Sequence, residues 1–479
     1  MKRSLRSALV AIAVLATIAV AAPAHAATGT WGAPADLSAV GVNAFGAQVA
    51  VAGDGTIIVT WYGDNGSGSV VQTARSTDGG VTWGTPVTLS GTNTSYPQIA
   101  VGGDGTFTVT WTRNQIVQAA VSTDSGVTWS GSIDLSAAGG NPNNPQVFAG
   151  DDGTIAVTWE MRVGFNWVVQ ASTSPNAGVT WSAPTDVSAV GNVAEGTEVT
   201  VADDGTIFVA WTFDGGSGRT VQASTSTDAG ATWSAPSDLS AAGNAFNPRL
   251  ATSPDGTVTV TWQQYGGTSS LVRTSRSTDG GATWSPPVDL SVDGVDAYNA
   301  RIAVAGNGTI AVSWERGNGG IERIVQAATS TNGGLTWSAT VNLSAAGDYS
   351  DNPELVVGAD GTFTATWERG NAGPSIVEVA TLTGAGAAWG APIGLSSATG
   401  RALEPQLAVG NDGAVTVAWQ VDDGFGGNSI QASTLAVAAA AAPGLASGGS
   451  NAAPIGLTGA VLLALGCVLV ARRRHATAS

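Results

Sequence analysis

The chain is written in short runs where bulky apolar residues take every second position and Thr, Ala or Ser mostly fills the gaps. Ile57, Val59 and Trp61 make one such run, and Ile207, Val209 and Trp211 another. Period-two alternation predicts strands, and the Gly and Asp residues that close each run predict tight turns. A strand with one bulky and one slim face suits stacked sheets, because large side chains fill the room left by small ones. A run of 20 apolar and small residues occurs at Ala452–Ala471, long enough to span a bilayer.

The runs repeat at a spacing of about 50 residues, the mark of a repeat architecture. Each repeat holds three segments in fixed order. First comes an apolar stretch, an Asp-Gly turn and a strand ending in Trp, at positions 61, 111, 159, 211, 262, 314, 367 and 419. A second strand follows, as in Ile116-Val117-Gln118-Ala119-Ala120. Thr-Trp and a short strand then run to Leu-Ser, with Trp at 31, 83, 129, 181, 233, 284, 337 and 389. These sixteen and Trp167 are all 17 tryptophans. The predicted fold class is therefore all-β, a β-propeller of about eight four-stranded blades spanning residues 27–435. The Asp-Gly pairs predict two-residue hairpin turns. Thr30-Trp31 to Leu37-Ser38 is a spare fourth strand at the start, and the last unit, closing on Ile430 to Thr434, lacks one. The N-terminal strand is expected to complete the last blade, which removes unpaired edges.

Between the third and fourth strands stands Ser76-Thr77-Asp78-Gly79-Gly80-Val81-Thr82-Trp83. The same spacing recurs with Asp124, Asn176, Asp228, Asp279 and Asn332 in the place of Asp78. The pattern is a capped turn whose Asp or Asn side chain accepts from backbone N–H groups, repeated around the whole body as scaffolding is. It resembles the Asp-box, or bacterial neuraminidase repeat, of the sialidase-like β-propellers. That resemblance implies an Arg triad on a substrate carboxylate, a Tyr nucleophile assisted by Glu, and an Asp general acid. At the position that would carry such arginines the eight repeats have Gln48, Gln98, Gln146, Glu198, Arg249, Arg301, Glu354 and Gln406. Phe45-Gly46-Ala47-Gln48 stands where the family carries Phe/Tyr-Arg-Ile-Pro. Arg249 and Arg301 with Tyr265 or Tyr298 and Glu315 are the catalytic candidates, and ordinary salt bridges explain them as well.

Strand order puts the Asp-Gly turns and Asp-boxes on one face and the variable connections on the other, where binding residues concentrate. The five tyrosines, Tyr62, Tyr96, Tyr265, Tyr298 and Tyr349, are placed in these connections, with Trp167, Arg316 and Arg369. Aromatic and Arg enrichment suits a surface that binds a glycan or a protein partner. The leading expectation is a non-catalytic binding propeller; the alternatives are a divergent sialidase-like exo-glycosidase and a structural surface-layer role.

Composition narrows the chemistry. His25, His475 and Cys467 lie in the terminal segments, and Lys2 is the single lysine. A body without His or Cys excludes Ser-His-Asp and Cys-His nucleophile systems, His/Cys zinc sites and disulfides. No metal or cofactor is expected, since the Asp-rich Asp422-Asp423-Gly424 lacks EF-hand-like spacing. The net charge is −17. Setting aside Lys2, Arg3, Arg6 and Arg472 to Arg474 leaves 12 of the 18 basic residues against 35 acidic ones, so nucleic acid is no partner.

Residues 1–26 read as a secretory signal, with a basic start, an apolar stretch from Ala8 to Ala22, and Ala24-His25-Ala26 before a mature start at Ala27. Residues 436–451 read as an Ala/Gly/Ser linker, 452–471 as a transmembrane helix or the apolar part of a sorting signal, and 472–479 as a basic tail that stays inside. Leu445-Ala446-Ser447-Gly448-Gly449 resembles the Leu-Ala-x-Thr-Gly sortase motif of Gram-positive surface proteins, with Gly448 in the place of Thr. The expected location is the cell surface, membrane- or wall-anchored, with the propeller outside.

Overall fold

The computed structural model describes residues 29–436, apart from 40, 41, 65, 318–321, 348, 371–373, 385, 398, 399, 425 and 426. The described residues all belong to one compact unit, Met1–Ala438. The export, apolar and basic-tail segments, and the linker beyond Ala436, lie outside the described residues. Among those described, no helix is long and apolar enough to cross a membrane.

Among the described residues every element is a strand. Ala44–Val51, Ile57–Asp64, Ser69–Ser76 and Val87–Thr88 form the first antiparallel sheet in sequential order, and six further sets of four repeat it. Their first strands begin at Thr94, Asn143, Ala245 and Ser350 in the second, third, fifth and seventh sets, and at Val193 and Asp296 in the fourth and sixth. The eighth set has three strands, Arg401–Val409, Val415–Asp422 and Asn428–Ala436, and a single parallel bridge, Ser375 to Arg401, joins it to the seventh. The N-terminal Thr30–Trp31 and Ala35–Asp36 pair with Asn428–Ala436, Trp31 opposite Leu435 and Ala35 opposite Ala432. Gly32 N–H donates to Thr434 O at 2.9 Å and Leu37 N–H to Ile430 O at 2.8 Å.

The second strand of each set is buried on both faces, and all eight of its tryptophans are fully buried. Each bulky face meets a slim one on the preceding set. Trp211 packs in one cluster with Ala156 and Ala171, Trp262 with Ala210 and Ala223, and Trp61 with Ala418 and Ala432. The first set thus packs on the eighth. Truncating one such Trp to Ala costs about 3–5 kcal/mol.

The Asp-Gly turns are longer than the two-residue hairpin the sequence suggests. Val51 pairs with Ile57, leaving Ala52 to Thr56 as the connection. Gly55 alone among them has positive φ, at 82°, and Thr56 N–H donates to Asp54 Oδ1 at 2.8 Å. A type I turn closed by one left-handed glycine produces this geometry.

The Asp-boxes are capped turns. Asp228 Oδ1 accepts from Thr232 N–H and Ser226 Oγ, both at 2.8 Å, and Oδ2 accepts from Thr232 Oγ1 at 2.6 Å. The Thr232 bonds, led by the hydroxyl, hold the carboxyl at about 2. The corresponding Thr82, Thr128 and Thr283 bonds do the same for Asp78, Asp124 and Asp279. Asn176 and Asn332 keep the backbone bond and donate Nδ2–H to the threonine hydroxyl instead. Ser125 Oγ of one box donates to Asp54 Oδ2 of a neighbouring turn at 2.9 Å, which places boxes and turns on one face.

Candidate functional site

Each first strand carries a β-bulge in its opening half. In the sixth set the pairing jumps from Tyr298 to Arg301, and in the fourth from Glu195 to Glu198. The first skipped residue is left-handed in all eight sets, at Gly46, Tyr96, Asn144, Gly196, Asn247, Asn299, Asn352 and Glu404, with φ between 49° and 64°. A bulge re-aims the side chain that follows. Here it aims Gln48, Gln98, Gln146, Glu198, Arg249, Arg301, Glu354 and Gln406 into one cavity of about 390 Å³.

The cavity wall is amide on one side and charged on the other. Arg249 Nη1 lies 3.2 Å from Glu198 Oε2, and Arg301 Nη2 lies 2.8 Å from Glu354 Oε1. Each guanidinium also donates to the carbonyl of the residue before it, Pro248 at 3.1 Å and Ala300 at 3.2 Å. Gln406 Nε2 donates to Glu354 Oε1 at 3.4 Å. The four ionic side chains lie deep in the protein yet keep 20–29% of their surface open to the cavity. Burial pushes the Glu198 carboxyl up despite Arg249, and pulls the Arg249 guanidinium down despite Glu198. For Arg301 burial, the largest single effect, acts downward, but Glu354 together with Glu198 and Glu315 makes the net shift upward.

A second cluster occupies the variable-loop side of the sixth and seventh sets. The Arg323 guanidinium lies 5.0 Å from the centre of the Tyr349 ring and 6.0 Å from that of Tyr298, within cation–π range. Its Nη1 contacts Glu315 Oε2 at 3.0 Å and Asp351 Oδ2 at 3.9 Å. Burial, then the Glu315 charge, pushes Asp351 up to about 6. Burial, then Asp351, pushes Glu368 up to about 7. Burial and a hydrogen bond to Asp296 push Tyr298 up to about 12.

The structure places the sequence candidates unevenly. Arg249 and Arg301 meet in the cavity wall. Glu315 is fully buried and accepts from Asn299 Nδ2 at 2.7 Å, the Asn352 N–H at 2.9 Å and Arg323. It thereby ties its own bulge to that of the next set, as Glu160 does by accepting from Gly196 N–H at 2.7 Å. The tyrosines are not all in connections: Tyr62, Tyr96, Tyr265 and Tyr298 lie within strands. Tyr349 is bridged to Arg323. Trp167 lies in the strand Asn166–Ser174, opposite Arg162. The Tyr265 hydroxyl donates to Gly267 O in its own hairpin at 2.9 Å. Arg369 is paired with Glu378 at 2.8 Å, and Arg316 lines a separate groove with Gln326 and Asn342. Arg323, one of the arginines that the sequence assigns to the variable connections, opens the strand Arg323–Ser330; Asp351 and Glu368 were not among the sequence-predicted site residues, and nothing in the repeat distinguishes them before the sets are packed.

The BNR repeat-like domain model matches residues 117–365, more than half of the chain. The chain belongs to the BNR repeat-like family. The match takes in the Asp-boxes from Asp124 to Asn332, in line with the Asp-box resemblance, and it also spans the four ionic residues of the cavity. No curated protein matches this BNR repeat-like chain. Among solved structures it is similar to a protein of unknown function from Dyadobacter fermentans, with 16% identity, 61% of this chain and 94% of that one covered, and a TM-score of 0.43. It is also similar to the NanB sialidase of Streptococcus pneumoniae, with 10% identity, 84% and 94% covered, and a TM-score of 0.43. An ulvan polysaccharide lyase aligns with 14% identity, 73% and 96% covered, and a TM-score of 0.47.

Proposed function

We propose that the eight sets are blades closed into one propeller by the N-terminal strands, and that the central cavity binds an acidic glycan without cleaving it. The carrying observation is the order Glu198, Arg249, Arg301, Glu354 around the wall. The two arginines stand side by side, each backed by one glutamate, so the gap between them is the most positive point of the cavity. Arginine's fork of donors matches a carboxylate. The amides of Gln48, Gln98, Gln146 and Gln406 offer both donors and acceptors, which suits sugar hydroxyls. The same reading places the protein outside the cell, exported by residues 1–26 and held at the membrane or wall by residues 452–471.

Calorimetric titration of the full chain with glucuronate and with glucose tests it. Glucuronate is expected to bind more tightly, with the preference lost in Arg301→Gln; equal affinity for both sugars, or an unchanged preference in the variant, contradicts it.

A second reading, a divergent exo-glycosidase, is favoured by Asp351 and Glu368. Their carboxyls hold protons up to about 6 and 7, as a general acid near neutral pH needs; both neighbour Tyr349, and Asp351 faces Arg323. Turnover of a fluorogenic sialoside that is lost in Asp351→Asn would establish this reading, and no turnover between pH 4 and 8 would remove it.

A further inference from the structure

Six of the eight left-handed bulge positions carry Gly or Asn, the residues that tolerate positive φ. The two exceptions are Tyr96, at φ 55°, and Glu404, at φ 51°, and they flank the first set on its two sides. Between them lies Tyr62, whose ring centre is 5.6 Å from that of Phe45. The Tyr62 ring covers Gly46 closely enough that a Cβ there would come within 3.1 Å of it. Burial, then the nearby Glu404 and Tyr96, raises the Tyr62 hydroxyl. Tyr96 itself is 54% exposed, so its ring contributes little to the core while its backbone occupies a strained region. Strain of this kind persists where it serves a site. Asn stands at the same bulge in four other sets, so the fold alone does not require an aromatic residue there.

We infer that Phe45, Tyr62 and Tyr96, with Glu404 at the edge, form a subsite for an uncharged pyranose ring. The exposed Tyr96 ring, beside the half-buried rings of Phe45 and Tyr62, suits the C–H face of a sugar, and the carboxylate and phenol oxygens suit its hydroxyls. Glu404 disfavours a second acidic ring. Each bulge residue lies two positions before a cavity-lining residue, so Tyr96 leads directly to Gln98, and Gly46 to Gln48, in the amide half of the cavity wall. The inference rests on the cavity being a glycan site and adds to it a direction, with the acidic unit at Arg249 and Arg301 and a neutral unit across the cavity.

The test is saturation-transfer NMR and affinity titration of the full chain with the methyl glycosides of glucose, galactose and N-acetylglucosamine. At least one is expected to bind, and Tyr96→Asn is expected to weaken it tenfold or more while the thermal midpoint stays equal or rises. Glu404→Gln is expected to weaken binding with the midpoint unchanged. Unaltered affinity in Tyr96→Asn, a lower midpoint in that variant, or no binding of all three glycosides by the wild type overturns the inference. Arg301→Gln separates the two readings. It should leave the neutral glycosides unaffected, and a failure of glucuronate to respond to it removes the acidic site while leaving the Tyr96 result to stand or fall alone.

Discussion

Replacing Asp351 by Asn should stabilise the protein at neutral pH and flatten its pH dependence. Asp351 is 18% exposed, faces Arg323 at 3.9 Å, and has Glu315 and Glu368 as acidic neighbours. One oxygen, Oδ1, is buried without a hydrogen-bond partner. The carboxyl titrates at about 6 rather than 3.8. A raised folded-state pKa means the folded protein keeps a proton that the unfolded chain has released, so stability falls as pH rises from about 4 to above 6. A shift of about 2 units at about 1.4 kcal/mol each, with the Arg323 attraction already included, gives a cost at pH 7.5, and so a gain on substitution, of about 2–3 kcal/mol. Urea unfolding of wild type and Asp351→Asn at pH 4.5, 6.0 and 7.5 measures this. The two should lie within about 1 kcal/mol at pH 4.5 and separate progressively above it, the variant being the more stable. A variant of equal or lower stability at pH 7.5, or parallel pH profiles, would refute the burial argument.

Three further outcomes follow from the scaffold. Asp228→Ala should lower the thermal midpoint, and Asp228→Asn should lower it less, because Asn176 and Asn332 cap the same turn in two other sets; equal losses in a melting experiment would contradict the capping argument. The Asp-box carboxyls at about 2 stabilise the fold above the unfolded pKa and lose that contribution as pH falls towards 2, so wild type should be more acid-sensitive than Asp228→Asn. Removing residues 29–38 uncovers the edge of Asn428–Ala436 and should produce self-association in light scattering; a stable monomer would show that the N-terminal pairing does not protect this edge.

The repeat made much of this molecule readable. Counting back from each buried Trp identifies the eight positions that line the cavity, because strand length and turn length barely vary between sets. The bulge left a weaker trace, in Asn144-Pro145, Asn247-Pro248 and Asn352-Pro353, where a left-handed residue precedes one that fixes its own φ. That trace is easily taken for an ordinary turn. Glu315 looks like a site residue because it is acidic and follows Trp314. Its strand, however, is packed on both faces, so a carboxylate there serves the neighbouring bulge. The Arg323, Tyr298 and Tyr349 cluster depends on where the connection to the seventh set runs, and no periodicity encodes that path.

The most direct measurement of the cavity's role is a crystal structure of the full chain with a glucuronate-containing oligosaccharide bound. The carboxylate is expected between Arg249 and Arg301, about 2.8 Å from donors of both guanidinium groups, with hydroxyls on the glutamine wall. A ligand lying outside the cavity, or one whose carboxylate turns away from the arginines, would contradict it.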